Sequence, residues 1–385
     1  MVLMSGFLPQ VSIVGRTQET ARRPCVRTAC SNLLMIPLFL AIATAAHASA
    51  WYVNGARGSD SNNCTSAQTA CKTIGHAIAL SASGDSIIMA PATYQENPVI
   101  TINLSLLGSN TAKTIIDGGY ITHTVAILDS AAVVTLSKVT IRNGSASGGG
   151  GILNWGTLTI NNCTISGNLA SSTSSAAGAG IFNYLGTVTI NNSTLSGNQG
   201  SSNFFAGGAI CNEGTLVVNN STRSGNSAGG VSGGGGGGIV NYATATISNS
   251  TMSGNSGTPA GGGILNSGGT VTLQNSIIAN STAGGNCSGT MTSNGYNLSS
   301  DGTCGFANTG DLNNTNPLLG PLRNNGGPTK TMALSSGSPA IDAGNPGGCT
   351  DNVGNLLLLD QRGQPRPDPE DTGGCDMGAY ESQTD

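Results

Sequence analysis

Gly151-Ile-Leu-Asn-Trp-Gly-Thr-Leu-Thr-Ile-Asn-Asn-Cys-Thr-Ile-Ser-Gly-Asn168 decides the fold, because the chain restates it over Gly180–Asn198, Ala209–Asn226, Gly238–Asn255 and Gly263–Asn280. The asparagine that opens each Asn-(Ser/Cys) step falls at 162, 192, 220, 249 and 275, spacings of 30, 28, 29 and 26 residues. A period of that length means stacked units that bury their apolar faces only against their neighbours. Within a copy the apolar residues alternate, as at Leu158 and Ile160, then Cys163 and Ile165, which is strand periodicity broken by a turn. The Ile-x-Asn segments Ile152–Asn154, Ile181–Asn183 and Ile210–Asn212 supply a third short strand. Three strands per copy and no helix-length pattern predict an all-β chain wound as a right-handed parallel β-helix.

Asparagine tolerates the left-handed conformation that a sharp corner demands, and identical amides about 4.8 Å apart can bond from coil to coil. The corner asparagines are therefore read as structural. The glycine-rich stretches, Gly233–Gly238 among them, read as corner loops of variable length. They lack the recurring Asp of a calcium-binding β-roll and the strict three-residue period of collagen.

Only 8% of the 385 residues are charged and 59 are glycine, a composition unlike that of an ordinary α/β enzyme. After residue 50 ten Lys and Arg stand against seventeen Asp and Glu, which argues against a nucleic-acid partner. Arg16, Arg22, Arg23 and Arg27 precede the apolar run Leu33–Ala46, and small residues permit cleavage after Ala48 or Ala50. Residues 1–50 thus read as a secretory signal peptide; the competing reading, an uncleaved anchor, asks a short run to span a membrane. Export agrees with the cysteines. Cys64 with Cys71, Cys287 with Cys304 and Cys349 with Cys375 are the expected bridges, although six cysteines permit fifteen pairings. Cys163 and Cys211 sit two coils apart, beyond disulfide reach, and are read as buried thiols within stacks. No zinc-ligand spacing occurs, no cofactor is expected, and Asp351, Asp360, Asp368 and Asp376 leave calcium an open question.

Residues 51–100 read as an N-terminal cap, 101–290 as the coils and 291–385 as an irregular disulfide-bearing region. In the cap, Trp51-Tyr52-Val53 reads as a strand and Thr73–Ser83 as a short capped helix, followed by a Gly84-Asp85 turn and a Pro91-Ala92-Thr93-Tyr94-Gln95-Glu96 end. This stretch, Tyr52 to about Ile100, resembles the cap of secreted right-handed β-helix proteins of the pectate lyase superfamily. The Gly207-Gly208-Ala209-Ile210 and Gly261-Gly262-Gly263-Ile264 segments, paired with Ser-Gly-Asn, look like repeats of the chlamydial polymorphic outer membrane protein type. That family places Phe where this chain has Ile165, Leu195, Arg223 and Met252, and it ends in a membrane barrel that this sequence does not show. Asn316-Pro317-Leu318-Leu319-Gly320, Gly337-Ser338-Pro339-Ala340-Ile341-Asp342, Asp360-Gln361-Arg362-Gly363 and Cys375-Asp376-Met377-Gly378-Ala379-Tyr380-Glu381 resemble the choice-of-anchor Q domain. That resemblance implies a bacterial surface protein; no anchor appears before Asp385, so free secretion stands beside surface attachment.

Catalysis has few candidates. Glu213 and Arg223, the only charges between Ser145 and Asn280, read as a solvated surface pair. His76 and His123 read as exposed or cap-packing side chains. Asp117, Asp129, Lys138 and Arg142 form the one charged group on the early coils, and a polysaccharide lyase would use Lys138 or Arg142 as base. Two binding patterns remain. Thr157, Thr187, Thr215, Thr244 and Thr270 align, with Thr159, Thr189, Thr246 and Thr272 two residues on and Val217 breaking the second file. Alternation turns both files outward, where they resemble the ice-binding face of some β-helical antifreeze proteins or serve as ordinary exposed strand residues. Trp155, Tyr184 and Tyr242 align after the Ile-x-Asn strand and could stack on sugars or pack a corner. The expectation is a non-catalytic secreted or cell-surface β-helix, adhesin-like, glycan-binding or structural, whose partner is an extracellular glycan, cell-envelope material or a host surface. Its alternatives are a polysaccharide lyase or hydrolase of the pectate lyase superfamily, and an ice-binding protein.

Overall fold

The computed structural model describes residues 48–173, 177–203, 205–230, 234–369 and 374–383. The expected signal segment falls almost wholly on 1–47, outside the described residues. Three long parallel sheets run the length of the column, and between Asp85 and Ser288 each coil contributes one strand to each. Sheet A has ten strands, from Ala50–Val53 through Thr157–Asn161 to Thr292–Ser293. Sheet B has nine, from Ala92–Gln95 through Thr164–Ser166 to Leu298–Ser299. Sheet C has eight, from Val99–Ile100 through Ile152–Asn154 to Cys287–Ser288. Every pairing within them is parallel and in register with the repeat, so the chain is a parallel β-helix.

Register puts like on like. Ile160, Ile190, Val218, Ile247 and Leu273 form one buried column, and Ile152, Ile181, Ile210, Ile239 and Ile264 another. The corners follow from residue chemistry: Asn162, Asn192, Asn220, Asn249 and Asn275 all hold φ between 48° and 53°, the left-handed region that asparagine accepts. Lys138 takes the equivalent place at the head of this file with φ 56°. Two further asparagine files lie wholly inside. Asn154 donates to Asn183 Oδ1 at 2.8 Å, Asn183 to Asn212 at 2.8 Å, Asn212 to Asn241 at 2.7 Å and Asn241 to Asn266 at 3.0 Å. Asn168, Asn198, Asn226 and Asn255 repeat the pattern at 2.9 Å a step. Deleting one such amide would strand its neighbours' polar groups at about 1–3 kcal/mol apiece. A serine file runs beside them, each backbone N–H reaching the next hydroxyl, and Cys163 occupies its first place with its N–H on Ser193 Oγ at 3.0 Å.

Two findings correct the sequence reading. Gly234–Gly236, expected in a corner loop, is a strand, paired with Phe205–Gly207 and through it with Ala177–Gly178. The glycines are there for close approach: a Cβ on Gly178, Gly207 or Gly236 would sit 2.3, 2.2 or 2.1 Å from the carbonyl oxygen of Ile181, Ile210 or Ile239. This small sheet lies against the outer side of sheet C and buries Cys211. Cys163 and Cys211 are both free and buried, as expected.

The second correction is Arg223. It is no surface residue: it stands in the inward column Ile165, Leu195, Arg223, Met252, is 0% exposed, and none of its three side-chain nitrogens finds a protein acceptor among the described residues. Strand alternation leaves it no choice, because its neighbours Thr222 and Ser224 take the other face. Burial lowers its pKa to about 9.

The three expected disulfides are present, Cys64–Cys71, Cys287–Cys304 and Cys349–Cys375. The helix Ile74–Leu80 starts at Thr73, whose hydroxyl accepts from His76 N, while the Glu96 carboxylate accepts from Ile74 N and Gly75 N at 2.9 Å. Beyond the last coil the chain has no regular period. It travels out along sheet B until Pro328 meets Thr111, then returns until Ala379 N donates to Thr251 Oγ1 at 3.0 Å. On the way Thr194 Oγ1 donates to Lys330 O, Thr222 Oγ1 to Gln361 Oε1 and Asn220 Nδ2 to Leu359 O. Leu334, Ala340 and Met377 join Ile277 and Leu298 in a small apolar cluster between the tail and the outer face of sheet B. No helix among the described residues is long and apolar enough to cross a membrane.

A guanidinium buried without a partner costs more than an apolar side chain of similar volume. Arg223→Met, which matches Met252 in the next coil, is expected to raise unfolding stability by about 1–4 kcal/mol. A urea midpoint equal to or below the parent's would show that the arginine is compensated.

Candidate functional site

The outer faces of the three sheets differ in what covers them. Sheet C is partly roofed by the small glycine-bearing sheet, and sheet B lies under the C-terminal segment. Sheet A carries its regular files outward, with Thr157, Thr187, Thr215, Thr244 and Thr270 on successive strands and Thr159, Thr189, Val217, Thr246 and Thr272 beside them. Thr135 and Thr292 extend the second file in both directions. The first file is exposed apart from a half-buried Thr187, and neither file carries a charge.

At the edge of this lattice, where sheet C turns into sheet A, Trp155, Tyr184, Glu213 and Tyr242 occupy equivalent places. Trp155 and Tyr184 are each 42% exposed, with ring centroids 6.1 Å apart and planes inclined at 53°. Tyr242 differs. The Phe205 ring stands edge-on to it at 5.2 Å, so it packs a corner rather than offering a face. Glu213, between them, is half-buried, and burial raises its pKa; no ion pair joins it to Arg223 among the described residues.

The expected charged group only partly assembles. Asp117 and Arg142 are register neighbours on sheet B, and Arg142 Nε donates to Asp117 Oδ2 at 2.8 Å. Asn143 Nδ2 and Gly119 N also donate to that carboxylate. Burial alone would raise the Asp117 pKa, but these donors and the Arg142 charge hold it below the usual carboxylate value. It is therefore ionised at neutral pH, able to orient a cation and unable to serve as general acid. Lys138 is exposed at its corner, at the other end of the Thr140–Arg142 strand, and Asp129 turns back to accept from Ala131 N. His123 Nδ1 is 2.9 Å from Gly149 O, and His76 stays in the cap helix.

The sequence reading missed a cleft between sheet B and residues 324–330, because it needs the C-terminal segment folded back. Thr164, Ser166 and Ser196 lie on its floor and Pro328, Thr329 and Lys330 in its wall.

The C-terminal carboxylates are occupied by protein donors. Asp351 accepts from Val353 N, Asn355 N and Asn355 Nδ2; Asp360 from Arg362, Gln364 N and Glu381 N; Asp376 from Asp342 N and Ser382 N. Asp368 is also engaged. The one close group of metal-ligand types among the described residues is Cys64, Cys71 and His76, and its cysteines are bridged to each other. Arg366 and Glu381 form a fully buried ion pair at 2.7 Å, and Arg366 Nη1 donates to Asn220 Oδ1, fastening this network to the coils. Burial pushes Glu381 up to about 7 against the pull of Arg366, and Asp376 up to about 6.

No protein-family model and no curated protein matches the chain. Solved structures do. Pectate lyase Pel9A aligns over 86% of this chain and 96% of its own at 14% identity and a TM-score of 0.41. A pectin methylesterase from Aspergillus niger aligns over 70% and 86% at 15% identity and 0.39. Pectin methylesterase PemA from Erwinia chrysanthemi aligns over 59% and 81% at 15% identity and 0.31. Likeness at this level concerns the fold alone, which stands on the strand register described above.

Glu381 and Asp376 keep their protons to higher pH folded than unfolded, so the native chain binds more protons between about pH 4 and pH 7. Stability from these groups is full below that window and falls as pH rises through it. The urea midpoint is expected to be higher near about pH 5 than near about pH 8, with a smaller difference in Glu381→Gln. Carboxylates held low, such as Asp117, act only below about pH 4 and leave this comparison untouched.

Proposed function

We propose that the chain is an extracellular, polysaccharide-directed β-helix that holds an extended glycan along sheet A and the corner leading into it. The observation that carries the reading is the exposed Trp155–Tyr184 pair bordering a charge-free lattice of hydroxyls. Aromatic faces stack on sugar rings, and threonine recurring on successive strands from Val133–Ser137 to Thr292–Ser293 suits a ligand that itself repeats. Three disulfides agree with an oxidising, extracellular setting. Attachment to a cell surface, with residues 316–381 as a choice-of-anchor Q region, belongs to the same proposal. Affinity electrophoresis through gels containing polysaccharides tests it: the parent chain is retarded, and Trp155→Ala or Tyr184→Ala is expected to lose roughly fivefold or more in affinity. Equal mobility of parent and variants in every gel would sink it.

A second reading is turnover of the bound polysaccharide, by a lyase or hydrolase. It is favoured by the juxtaposed Asp117 and Arg142 on the early coils. The solved structures named above are a pectate lyase and two pectin methylesterases. Against it, Arg142 Nε is tied to Asp117 and Lys138 stands apart, so no free base faces a second catalytic group among the described residues. Incubation with polygalacturonate and with alginate is expected to give no unsaturated product. Product that disappears in Lys138→Ala or Arg142→Ala would establish turnover instead.

A further inference from the structure

We infer that the cleft between sheet B and residues 324–330 binds a carboxylated sugar of an acidic polysaccharide. The cleft measures about 390 Å³, within the range of small-ligand sites and large enough for one or two sugar rings. Its floor divides by hydrogen bonding. Thr140 and Thr194 spend their hydroxyls on Thr111 O and Lys330 O. Thr164 Oγ1, Ser166 Oγ and Ser196 Oγ bond to nothing among the described residues and present a row of donors and acceptors to whatever enters.

The wall is held rather than loose. Thr111 donates to Pro328 O, Thr329 Oγ1 to Asn192 O at 3.2 Å, and Gln361 Nε2 to Thr329 Oγ1 at 2.9 Å. Gly327, at φ 78°, passes so near Arg362 that a Cβ would lie 2.5 Å from its Cα. Such anchoring pre-organises the site, which lowers the ordering cost of binding.

Electrostatics choose the sugar. No carboxylate lines the cleft, while the exposed Lys330 does and makes no ion pair among the described residues. Arg142, 39% exposed, continues the floor beside its register neighbour Ser166, but its charge is already paired with Asp117 and leaves Lys330 as the cation that acts on the cleft. The chain as a whole is acidic, with net charge −4, so long-range forces repel an anionic polymer and its attraction must be local. One ammonium above a floor of unspent hydroxyls matches a ring that carries both a carboxylate and vicinal hydroxyls, whereas a bare anion would leave the floor unused. The inference rests on the carbohydrate reading above but on a different face and different residues.

Retardation of the full exported chain in gels of polygalacturonate and of highly methyl-esterified pectin tests it. The acidic polymer is expected to bind more tightly, with the preference falling as salt rises. Lys330→Gln should cut that preference roughly fivefold while Lys330→Arg keeps it. Ser166→Val with Ser196→Val should weaken binding of the acidic polymer without changing the salt dependence. Equal retention of both polymers by the parent, or an acid preference that survives in Lys330→Gln, overturns the inference; so does displacement by inorganic sulfate as readily as by galacturonate. If Trp155→Ala weakens both polymers alike and Lys330→Gln changes nothing, this cleft is excluded and the sheet A reading stands. If Trp155→Ala changes nothing while Lys330→Gln removes the acid preference, the sheet A reading falls and the cleft stands.

Discussion

Amide-to-amide hydrogen bonding along the column is the constraint that the other features obey. Each buried asparagine of the Asn154 file gives one N–H to the next asparagine and another to a backbone carbonyl, so its side chain cannot shift without leaving a polar group unpaired in the interior. Backbone ladders give the rise from coil to coil, and because successive members must align to bond, the file locks the register of the five coils it spans. The aliphatic columns supply the greater part of the burial but little direction, since a leucine packs acceptably over a valine or an alanine in several offsets. Direction comes from asparagine, and the aliphatic residues fill the space it defines.

With the register fixed, surface chemistry becomes a matter of which sheet a residue occupies. Sheet A repeats threonine on every strand from Val133–Ser137 onward and stays open. Sheet B repeats Ser and Thr as well, but gives several of those hydroxyls to the C-terminal segment, so one sort of file serves as ligand face in one place and as intramolecular adhesive in another. Sheet C is crowded by glycine strands, and Phe205 takes up Tyr242. The same repeated sequence therefore yields three unlike environments, separated by what the non-repeated segments do.

The legible part of the chain was the part whose structure is local. Alternation at Leu158 and Ile160, the corner asparagines and the threonine files each follow from a few neighbouring residues and a period, and the three short-range disulfides follow from proximity. Arg223 departs from the expectation because a charge outside and a strand phase inside conflict at this residue; the phase, set by the Ile165–Leu195–Met252 column, prevails. Gly234–Gly236 hid for a different reason, since a strand chosen for close approach carries no side-chain pattern. The cleft beside Lys330 was beyond reach altogether. It joins Thr164 to Lys330 across 166 positions of sequence, and nothing in an aperiodic stretch announces where it will land.

Most solenoids are open-ended, and adding or losing a unit changes their length and little else. This one is not free to vary so. Its tail is fastened to Thr111 near one end and to Thr251 and Asn275 near the other, with Thr194 and Asn220 between. Excising a whole copy would leave the tail too long for the shortened column, and inserting one would tear it from its far moorings. The tail thus measures the column, and any lineage of this protein that gains or loses a unit beneath it must re-cut the tail at the same time.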